Sequence, residues 1–256
     1  MKGSFEPIKP ARRTENIEYA VRDIVLVAEE ARKKGKELLF LNIGDPIQYD
    51  FRTPSPLVEA TYQAMCENLT GYSASEGVDE AIEAIKKEAR QKGIEPTDVF
   101  ITTGASEAID FTLTALVNEG ENVLVPYPGY PLYTAILAKL GAEPNPYYLD
   151  EENAWQPDLD DIAAKVNEKT RAIVIINPNN PTGAVYSEET LRGIVEIAKR
   201  HQLVILSDEI YDKLVFDGQK HISIASLDPE VPMVTFNGLS KCYLAPGFRI
   251  GWGIVS

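Results

Sequence analysis

Four short polar segments carry most of the side chains that could do chemistry, and each directly follows an apolar run. They are Thr102–Ala108, Asn177–Gly183, Ser207–Tyr211 and Phe236–Lys241. A lysine amine such as that of Lys241 is a nucleophile or a base once it is unprotonated. An aspartate at the mouth of a buried strand, as Asp208 is expected to be, is costly unless it pairs with a positive group. These segments are therefore the candidates for a binding or catalytic site.

Each segment also has an ordinary structural interpretation. Most lysines are solvated, and aspartate often caps a helix. A plain turn accounts poorly for the unbroken polar and proline-rich stretch from Asn177 to Gly183, in which Asn180 offers both a donor and an acceptor. Gly104 allows close approach of the backbone, and a helix starting after it favours an anion, although packing alone also explains small residues there. The sequence has no Gly-x-Gly-x-x-Gly segment, which excludes a nicotinamide dehydrogenase.

Apolar runs alternate with helical patterns along the chain. The runs are 38–43, 99–102, 122–125, 147–149, 172–176, 203–206, 234–236 and 249–255. The helical patterns are 20–36, 57–69, 78–92, 106–117, 131–140 and 188–200. Runs of this kind are typical of strands buried on both faces of a mostly parallel sheet. We predict an α/β fold with a mostly parallel sheet. Ligands bind such sheets at the carboxyl ends of the strands, where the polar segments lie.

The composition argues against several classes of protein. Lys plus Arg is 25 against 39 for Asp plus Glu, a net charge of −14, which disfavours binding to nucleic acids or anionic membranes. Two cysteines, Cys66 and Cys242, indicate a reducing compartment, and two histidines, His201 and His221, disfavour a histidine-rich metal site. No apolar run is long enough to span a membrane, and Met1–Pro10 has no signal-peptide core. We predict a cytoplasmic protein without a metal.

Four collinear motifs of the chain resemble those of a known enzyme family. They are Leu41–Pro46, Ile175–Ser187, Asp208–Lys213 and Phe236–Lys241. In this order they resemble the fold-type I aminotransferases, with the microbial alanine aminotransferases the most similar branch, from about Glu15 to the last residue. The resemblance implies pyridoxal 5'-phosphate as the cofactor and transamination between an amino acid, alanine, and a 2-oxo acid, 2-oxoglutarate. It also implies an arm and the start of a small domain over 1–50, followed by a cofactor-binding large domain over 51–256 that is incomplete at its C-terminus. The implied large domain is a three-layer sandwich around a mostly parallel seven-stranded sheet.

The resemblance implies three catalytic residues. Lys241 matches the lysine that forms a Schiff base with the cofactor and then moves the substrate proton. Asp208 matches the carboxylate that keeps the pyridine nitrogen of the cofactor protonated. Tyr211 matches a hydrogen-bond partner of the phenolic oxygen on the same ring.

The resemblance implies further residues as ligands of the cofactor and the substrate. Tyr130 matches the aromatic residue that stacks on the ring, and Asn180 matches a second partner of the phenolic oxygen. The implied phosphate ligands are Gly104, Ala105, Ser106, Ser240 and Arg249, together with Tyr72 from the neighbouring subunit, which implies a homodimer. The implied substrate contacts are Gly44, Asn180 and Tyr19, with Arg22 nearby in a lid.

Two other functions stay open at this point. The family pattern continues beyond Ser256, where the arginine that clamps the substrate carboxylate is expected, so the chain alone is expected to bind the cofactor but to transaminate poorly. A non-catalytic fragment that binds the cofactor or a partner is one alternative, and a lyase or synthase on the same fold is the other. Glu209 is expected to be solvated or to pair with a neighbour, and Cys242 to be a small buried residue.

Overall fold

The computed structural model of the chain describes residues 9–15, 17, 20–40 and 44–256. The helices are α1 (Ala20–Lys33), α2 (Ser55–Cys66), α3 (Asp79–Gln91), α4 (Ala105–Leu116), α5 (Leu132–Leu140), α6 (Leu159–Lys165) and α7 (Glu188–His201). The strands are β1 (Asp98–Thr102), β2 (Asn122–Tyr127), β3 (Glu143–Asp150), β4 (Gln156–Pro157), β5 (Thr170–Ile176), β6 (Val204–Asp208), β7 (Met233–Gly238) and β8 (Gly251–Val255). Short 3-10 helices lie at Arg12–Thr14, Pro46–Tyr49, Glu151–Asn153, Ile224–Ser226 and Pro246–Phe248.

Over the described residues the strands form one sheet in the order β1-β8-β7-β6-β5-β2-β3-β4. The neighbours from β7 to β3 pair in parallel, whereas β8 is antiparallel to both β1 and β7. The predicted mostly parallel α/β sheet is confirmed, with the short antiparallel strand β4 as an addition at its edge. An apolar run does not distinguish a parallel from an antiparallel strand, so the sequence did not predict the direction of β8.

Helices cover both faces of the sheet because its central strands are apolar on both sides. In β5, Ile173 and Ile175 belong to one hydrophobic core, whereas Val174 and Ile176 belong to the other. The first core includes buried residues of α3, α6 and α7, and the second includes buried residues of α4 and α5. Burial of each such aliphatic side chain contributes about 1.5–3 kcal/mol. The result is the predicted three-layer sandwich.

The register of the sheet brings the polar segments to one edge. Ile176, Asp208 and Phe236, on β5, β6 and β7, are paired with one another in register. β1 runs parallel to β7 because both are antiparallel to β8, so α4 begins at the same edge. The segments that follow these strands are therefore neighbours, as the sequence predicted.

Some local features differ from the sequence predictions. The short helix α6 was not predicted because it is too short to show an apolar period; Asp158 caps it by accepting from the amides of Asp160 and Asp161. Of the two expectations for Glu209, a solvated side chain is wrong, because the residue is 1% exposed, whereas pairing with a neighbour is confirmed, because the hydroxyl of Ser207 donates to its carboxyl. Cys242 is only half-buried.

None of the described helices is long and apolar enough to cross a membrane. The domain boundary after residue 50 stays a prediction.

Candidate active site

A cavity of about 440 Å³ lies at the carboxyl edge of the central strands. It is lined by Ala105, Ser106, Ile109, Tyr130, Ile176, Asn180, Asp208, Ile210, Tyr211, Ser240, Lys241, Pro246 and Arg249. The volume is in the range of small-molecule sites. The cavity combines an amine, a carboxylate and a guanidinium with two tyrosine rings, so it has both the charge and the aromatic surface to bind a polar ring compound.

Asp208 is the buried carboxylate of the cavity. It is the last residue of β6 and is 4% exposed. The hydroxyl of Tyr133 donates to its Oδ2 at 3.1 Å, and the amide of Ile210 donates to its Oδ1 at 3.2 Å. Burial raises the pKa of Asp208 to about 6, while these hydrogen bonds and the charge of Lys241 act in the opposite direction. A cation beside this carboxylate would therefore be strongly favoured.

Lys241 follows the end of β7 and lies beside the turn after β6. Its Nζ is 5.8 Å from the centre of the Tyr211 ring. Burial, followed by the charge of Asp208, raises the pKa of Tyr211 to about 12, so its hydroxyl stays protonated and can donate. The Sγ of Cys242 donates to the carbonyl of Ile210 at 3.2 Å, which ties the lysine segment to the end of β6.

Asn180 reaches the cavity because its neighbours fix the loop after β5. The Oδ1 of buried Asn177 accepts from the amide of Tyr186 at 3.0 Å. The Oδ1 of buried Asn179 accepts from the amide of Thr182 at 3.1 Å, and its Nδ2 donates to the Tyr186 hydroxyl at 3.2 Å. With these two asparagines engaged in the loop itself, Asn180 is left half-buried at the cavity wall.

Gly104 and Arg249 form a cradle at the start of α4. Gly104 has φ +81°, and a Cβ atom there would lie 2.6 Å from a guanidinium nitrogen of Arg249. The Nη1 of Arg249 donates to the carbonyl of Pro246 at 2.7 Å, which orients the guanidinium. Ala105 and Ser106, the first residues of the twelve-residue helix α4, line the same cavity, and the first amides of a helix have no acceptor within it. A cation and a helix N-terminus together favour an anion such as a phosphate.

The structure gathers most of the predicted site residues around this cavity. Its wall includes Lys241, Asp208, Tyr211, Ala105, Ser106, Tyr130, Asn180, Ser240 and Arg249, with Gly104 directly behind the arginine. Tyr72 is fully exposed, and Gly44 is exposed and does not line the cavity. Tyr19 lies outside the described residues, and so does the first half of the Leu41–Pro46 motif. The functional roles of all these residues stay predictions.

The roles of two polar residues in this region were not predicted from the sequence. Tyr133 lies in the largely apolar helix α5, where an aromatic residue is most simply interpreted as core, and nothing local marks its hydroxyl as a partner of Asp208. Glu209 follows Asp208 and is equally buried, but an acidic residue beside another one gives no sequence signal of burial. Both depend on contacts between residues far apart in the chain.

Comparison with known proteins relates the chain to one family. Residues 36–256 match the model described as aminotransferase class I and II. The chain is 43% identical over 256 residues to glutamate-pyruvate aminotransferase AlaA of Escherichia coli K12, covering 98% of this chain and 63% of that protein. It is 44% identical over 229 residues to the alanine aminotransferase of Mycobacterium tuberculosis H37Rv, covering 88% of this chain and 53% of that protein.

A solved structure agrees with these sequence matches. The alanine aminotransferase from Pyrococcus furiosus aligns with a TM-score of 0.92 and 43% identity, over 96% of this chain and 63% of that chain. The chain thus spans less than two thirds of the length of the relatives it matches.

Proposed function

The chain belongs to the aminotransferase class I and II family, and on this premise we propose that its cavity binds pyridoxal 5'-phosphate for transamination. The proposed amino donor is alanine and the proposed acceptor is 2-oxoglutarate. Two of the relatives are named glutamate-pyruvate aminotransferase and alanine aminotransferase, which supports this choice. The observation that carries the proposal is the cavity in which Lys241, Asp208 and Arg249 share one edge of the sheet.

The residues of the cavity fit this cofactor. Asp208 is buried with a raised pKa, and a protonated pyridine nitrogen is the kind of cation that would restore its charge. The cradle of Gly104 and Arg249 at the start of α4 suits a phosphate, with Ser106 and Ser240 as further donors. Between these two ends Tyr130 offers its ring for stacking.

Each side chain then has a defined task in the proposed reaction. When bound, pyridoxal phosphate supplies an aldehyde that condenses with amines and a ring that withdraws electrons from the substrate α-carbon. Asp208 would hold a proton on the ring nitrogen, and Asn180 and Tyr211 would donate to the phenolic oxygen. The Nζ of Lys241 would anchor the cofactor through its aldehyde carbon. As a free amine it would be the base that takes the proton from the substrate α-carbon and the acid that delivers it to that aldehyde carbon.

A homodimer is part of the proposal. Tyr72 is fully exposed, in keeping with a side chain that reaches the phosphate of a partner subunit. Helix α2 has no buried residue, and Val58, Tyr62 and Met65, followed by Leu69, expose apolar side chains at helical spacing. A face of this kind marks a protein interface.

We place the protein in the cytoplasm, which the free thiols of Cys66 and Cys242 support.

An amino-acid panel tests the proposed function. The protein is saturated with pyridoxal phosphate, and loss of the cofactor's aldehyde absorbance is followed with alanine, glutamate, aspartate and tyrosine in single half-reactions. The panel is run on this chain and on a form extended to the length of its relatives. We expect alanine and glutamate to react fastest, and the Lys241→Ala variant to give no half-reaction. A faster reaction with aspartate or tyrosine would refute the substrate choice, and failure to bind pyridoxal phosphate would refute the proposal as a whole.

A further inference from the structure

Glu209 lies behind the candidate active site. It follows Asp208 directly, and because successive side chains of an extended segment point to opposite sides, it faces away from the cavity toward helix α3. There it borders a narrow space, of about 10 Å³, together with Lys92, Thr235 and Asn237. The side chain is 1% exposed. A buried carboxyl outside the reaction cavity needs its own explanation.

One oxygen of the Glu209 carboxyl is fully engaged. Its Oε1 accepts from the hydroxyl of Ser207 at 3.0 Å and from the hydroxyl of Ser223 at 2.7 Å. The backbone carbonyl of Glu209 accepts from the Nδ2 of Asn237 at 3.0 Å. The residue therefore connects the end of β6 to β7 and to the segment before the 3-10 helix Ile224–Ser226.

The other oxygen faces a histidine nitrogen that also lacks a partner. Within the described part of the chain, Glu209 Oε2 and His221 Nε2 are both buried without a hydrogen-bond partner, and they lie 3.7 Å apart. His221 in addition forms a hydrogen bond with the backbone of Asn177. Two facing acceptors repel each other, whereas one proton between them satisfies both atoms after a shift of under about 1 Å.

We propose that Glu209 and His221 share one proton, carried by Oε2 and donated to Nε2, and that this neutral pair positions the Asn177–Gly183 loop against the end of β6. The Nδ1 of His221 then carries the hydrogen that is donated to Asn177. The pair links the loop that presents Asn180 to the strand end that presents Asp208 and Tyr211. The pair acts by positioning these residues. This role rests on the proposed function, in which Asn180, Asp208 and Tyr211 hold the cofactor.

The charges around the pair favour the neutral form. Asp208 precedes Glu209, so an ionised Glu209 would put two consecutive buried negative charges at the end of one strand. Lys92 is the cation whose charge acts on both groups, and it is already engaged by Asp212 and Glu88. Burial raises the pKa of Glu209 to about 7 and lowers the pKa of His221 to about 4, so both shifts assign the proton to the carboxyl.

Nuclear magnetic resonance of the cofactor-free chain tests the proton directly. The chain has only two histidines, so the His201→Gln variant assigns the ring nitrogens of His221, and a Glu209→Gln difference spectrum assigns the Glu209 carboxyl. At about pH 6 we expect a neutral His221 with the hydrogen on Nδ1 and a protonated Glu209 carboxyl, whose titration midpoint lies near the pKa of about 7. A doubly protonated His221, a hydrogen on Nε2, or an ionised Glu209 at that pH would each overturn the proposal. No cofactor is involved, so this result is independent of the proposed function.

Three variants test the positioning role through the dissociation constant for pyridoxal phosphate. Glu209→Gln keeps an acceptor for both serines and a donor for Nε2, so we expect affinity within about threefold of the parent. Glu209→Leu and His221→Phe keep the volume but remove the link, and we expect affinity at least about tenfold weaker. Equal losses in Glu209→Gln and Glu209→Leu would show that the negative charge is what matters and would overturn the proposal. If Glu209→Leu does not fold, the dissociation constant of His221→Phe decides the test.

Discussion

At the scale of single residues, burial decides how the two carboxyls at the end of β6 behave. Asp208 and Glu209 are both almost completely buried, and burial raises the pKa of each. The difference between them lies in their surroundings. Asp208 faces a cavity that also holds Lys241 and can admit a cationic ring, whereas Glu209 faces two serine hydroxyls and His221. An ionised Asp208 can therefore pair with a cationic ring, whereas an ionised Glu209 would be a costly buried charge.

We predict that Lys241 is the residue that binds the cofactor covalently. Of the lysines in the described part of the chain, Lys241 is the one that lines the cavity. Borohydride reduction of the chain with pyridoxal phosphate, followed by peptide mass mapping, should find the adduct on Lys241. Lys241→Ala should lose the adduct. The control variant Lys199→Ala should keep it, because Lys199 forms exposed ion pairs and does not line the cavity. An adduct that persists on another residue of Lys241→Ala at the parental yield would contradict the assignment.

We predict that Asp208→Asn changes how the stability of the cofactor-free chain depends on pH. Burial raises the pKa of Asp208 from 3.8 to about 6, so between these values the folded chain holds a proton that the unfolded chain has released. The stabilisation is present below about pH 4 and is lost as the pH rises through about 6. Relative to the parent, the variant should therefore gain roughly 2–3 kcal/mol in unfolding free energy over that interval.

Urea unfolding of parent and variant at several pH values measures this difference. A difference that is constant with pH would mean that Asp208 is not buried in solution as it is in the structure. Saturating pyridoxal phosphate should reverse the order at neutral pH, since the ring nitrogen then favours the ionised carboxylate of the parent. In the alanine half-reaction we expect Asp208→Asn to be slower by about 10²-fold or more.

The sequence identified the polar and aromatic residues that line the cavity, together with Ala105, but not the polar residues behind it. Lys241, Asp208 and Asn180 stand out because they follow apolar runs within motifs that resemble a family. Tyr133 and Glu209 have no such marker, because their roles depend on hydrogen bonds that join α5 to β6 and β6 to the segment around Ser223. Contacts of this kind arise from the packing of distant elements, and the local sequence does not contain them.

At the scale of elements, one glycine lets α4 lie close to the sheet. A Cβ atom on Gly251, the first residue of β8, would lie 2.1 Å from the amide nitrogen of Ala105 and 2.4 Å from the carbonyl carbon of Gly104. The first turn of α4 therefore rests directly on the backbone of β8. Since the free amides of that turn form part of the proposed phosphate site, the position of the helix and the binding of the cofactor are linked.

We predict that Gly251→Ala weakens cofactor binding by displacing the first turn of α4. The overpacking should cost about 1–3 kcal/mol of unfolding free energy, and the dissociation constant for pyridoxal phosphate should rise at least about tenfold. Gly247→Ala is the matched control, because a Cβ atom there meets nothing within 4 Å. Thermal unfolding and cofactor titration of both variants check the prediction. Equal affinities in the two variants would show that the close contact does not matter for binding.

The sequence predicted most of the elements because long apolar patterns are strong signals. The helical pattern at 188–200 corresponds to α7 at Glu188–His201, and the apolar run at 172–176 corresponds to β5 at Thr170–Ile176. The elements that escaped prediction, α6 and β4, are too short to contain a period. The direction of β8 escaped as well, because strand direction depends on the pairing of β8 with β1 and β7.

At the scale of the whole molecule, the net charge works against an anionic cofactor. A chain with a charge of −14 repels phosphate at long range. The proposed site must therefore compensate locally, through Arg249, the start of α4 and any donor that a second subunit adds. Within the described residues Tyr72 extends fully into solvent and makes no contribution to the cavity of its own chain. A dimer that brings Tyr72 to the partner's phosphate would complete the set of donors.

We predict that two defective variants, Tyr72→Ala and Lys241→Ala, restore cofactor binding when they form a mixed dimer. Loss of a hydrogen bond to a charged phosphate costs about 1.5–3 kcal/mol, so Tyr72→Ala alone should bind pyridoxal phosphate roughly ten- to hundredfold more weakly. Lys241→Ala alone should give no covalent adduct. In the mixed dimer, the site with an intact Lys241 receives Tyr72 from the other subunit, so half of the sites should bind with parental affinity. The two chains are unfolded and refolded together, purified by different affinity tags, and titrated with the cofactor. If Tyr72 acted within its own chain, or if the protein were a monomer, the mixture would bind no more tightly than the separate variants.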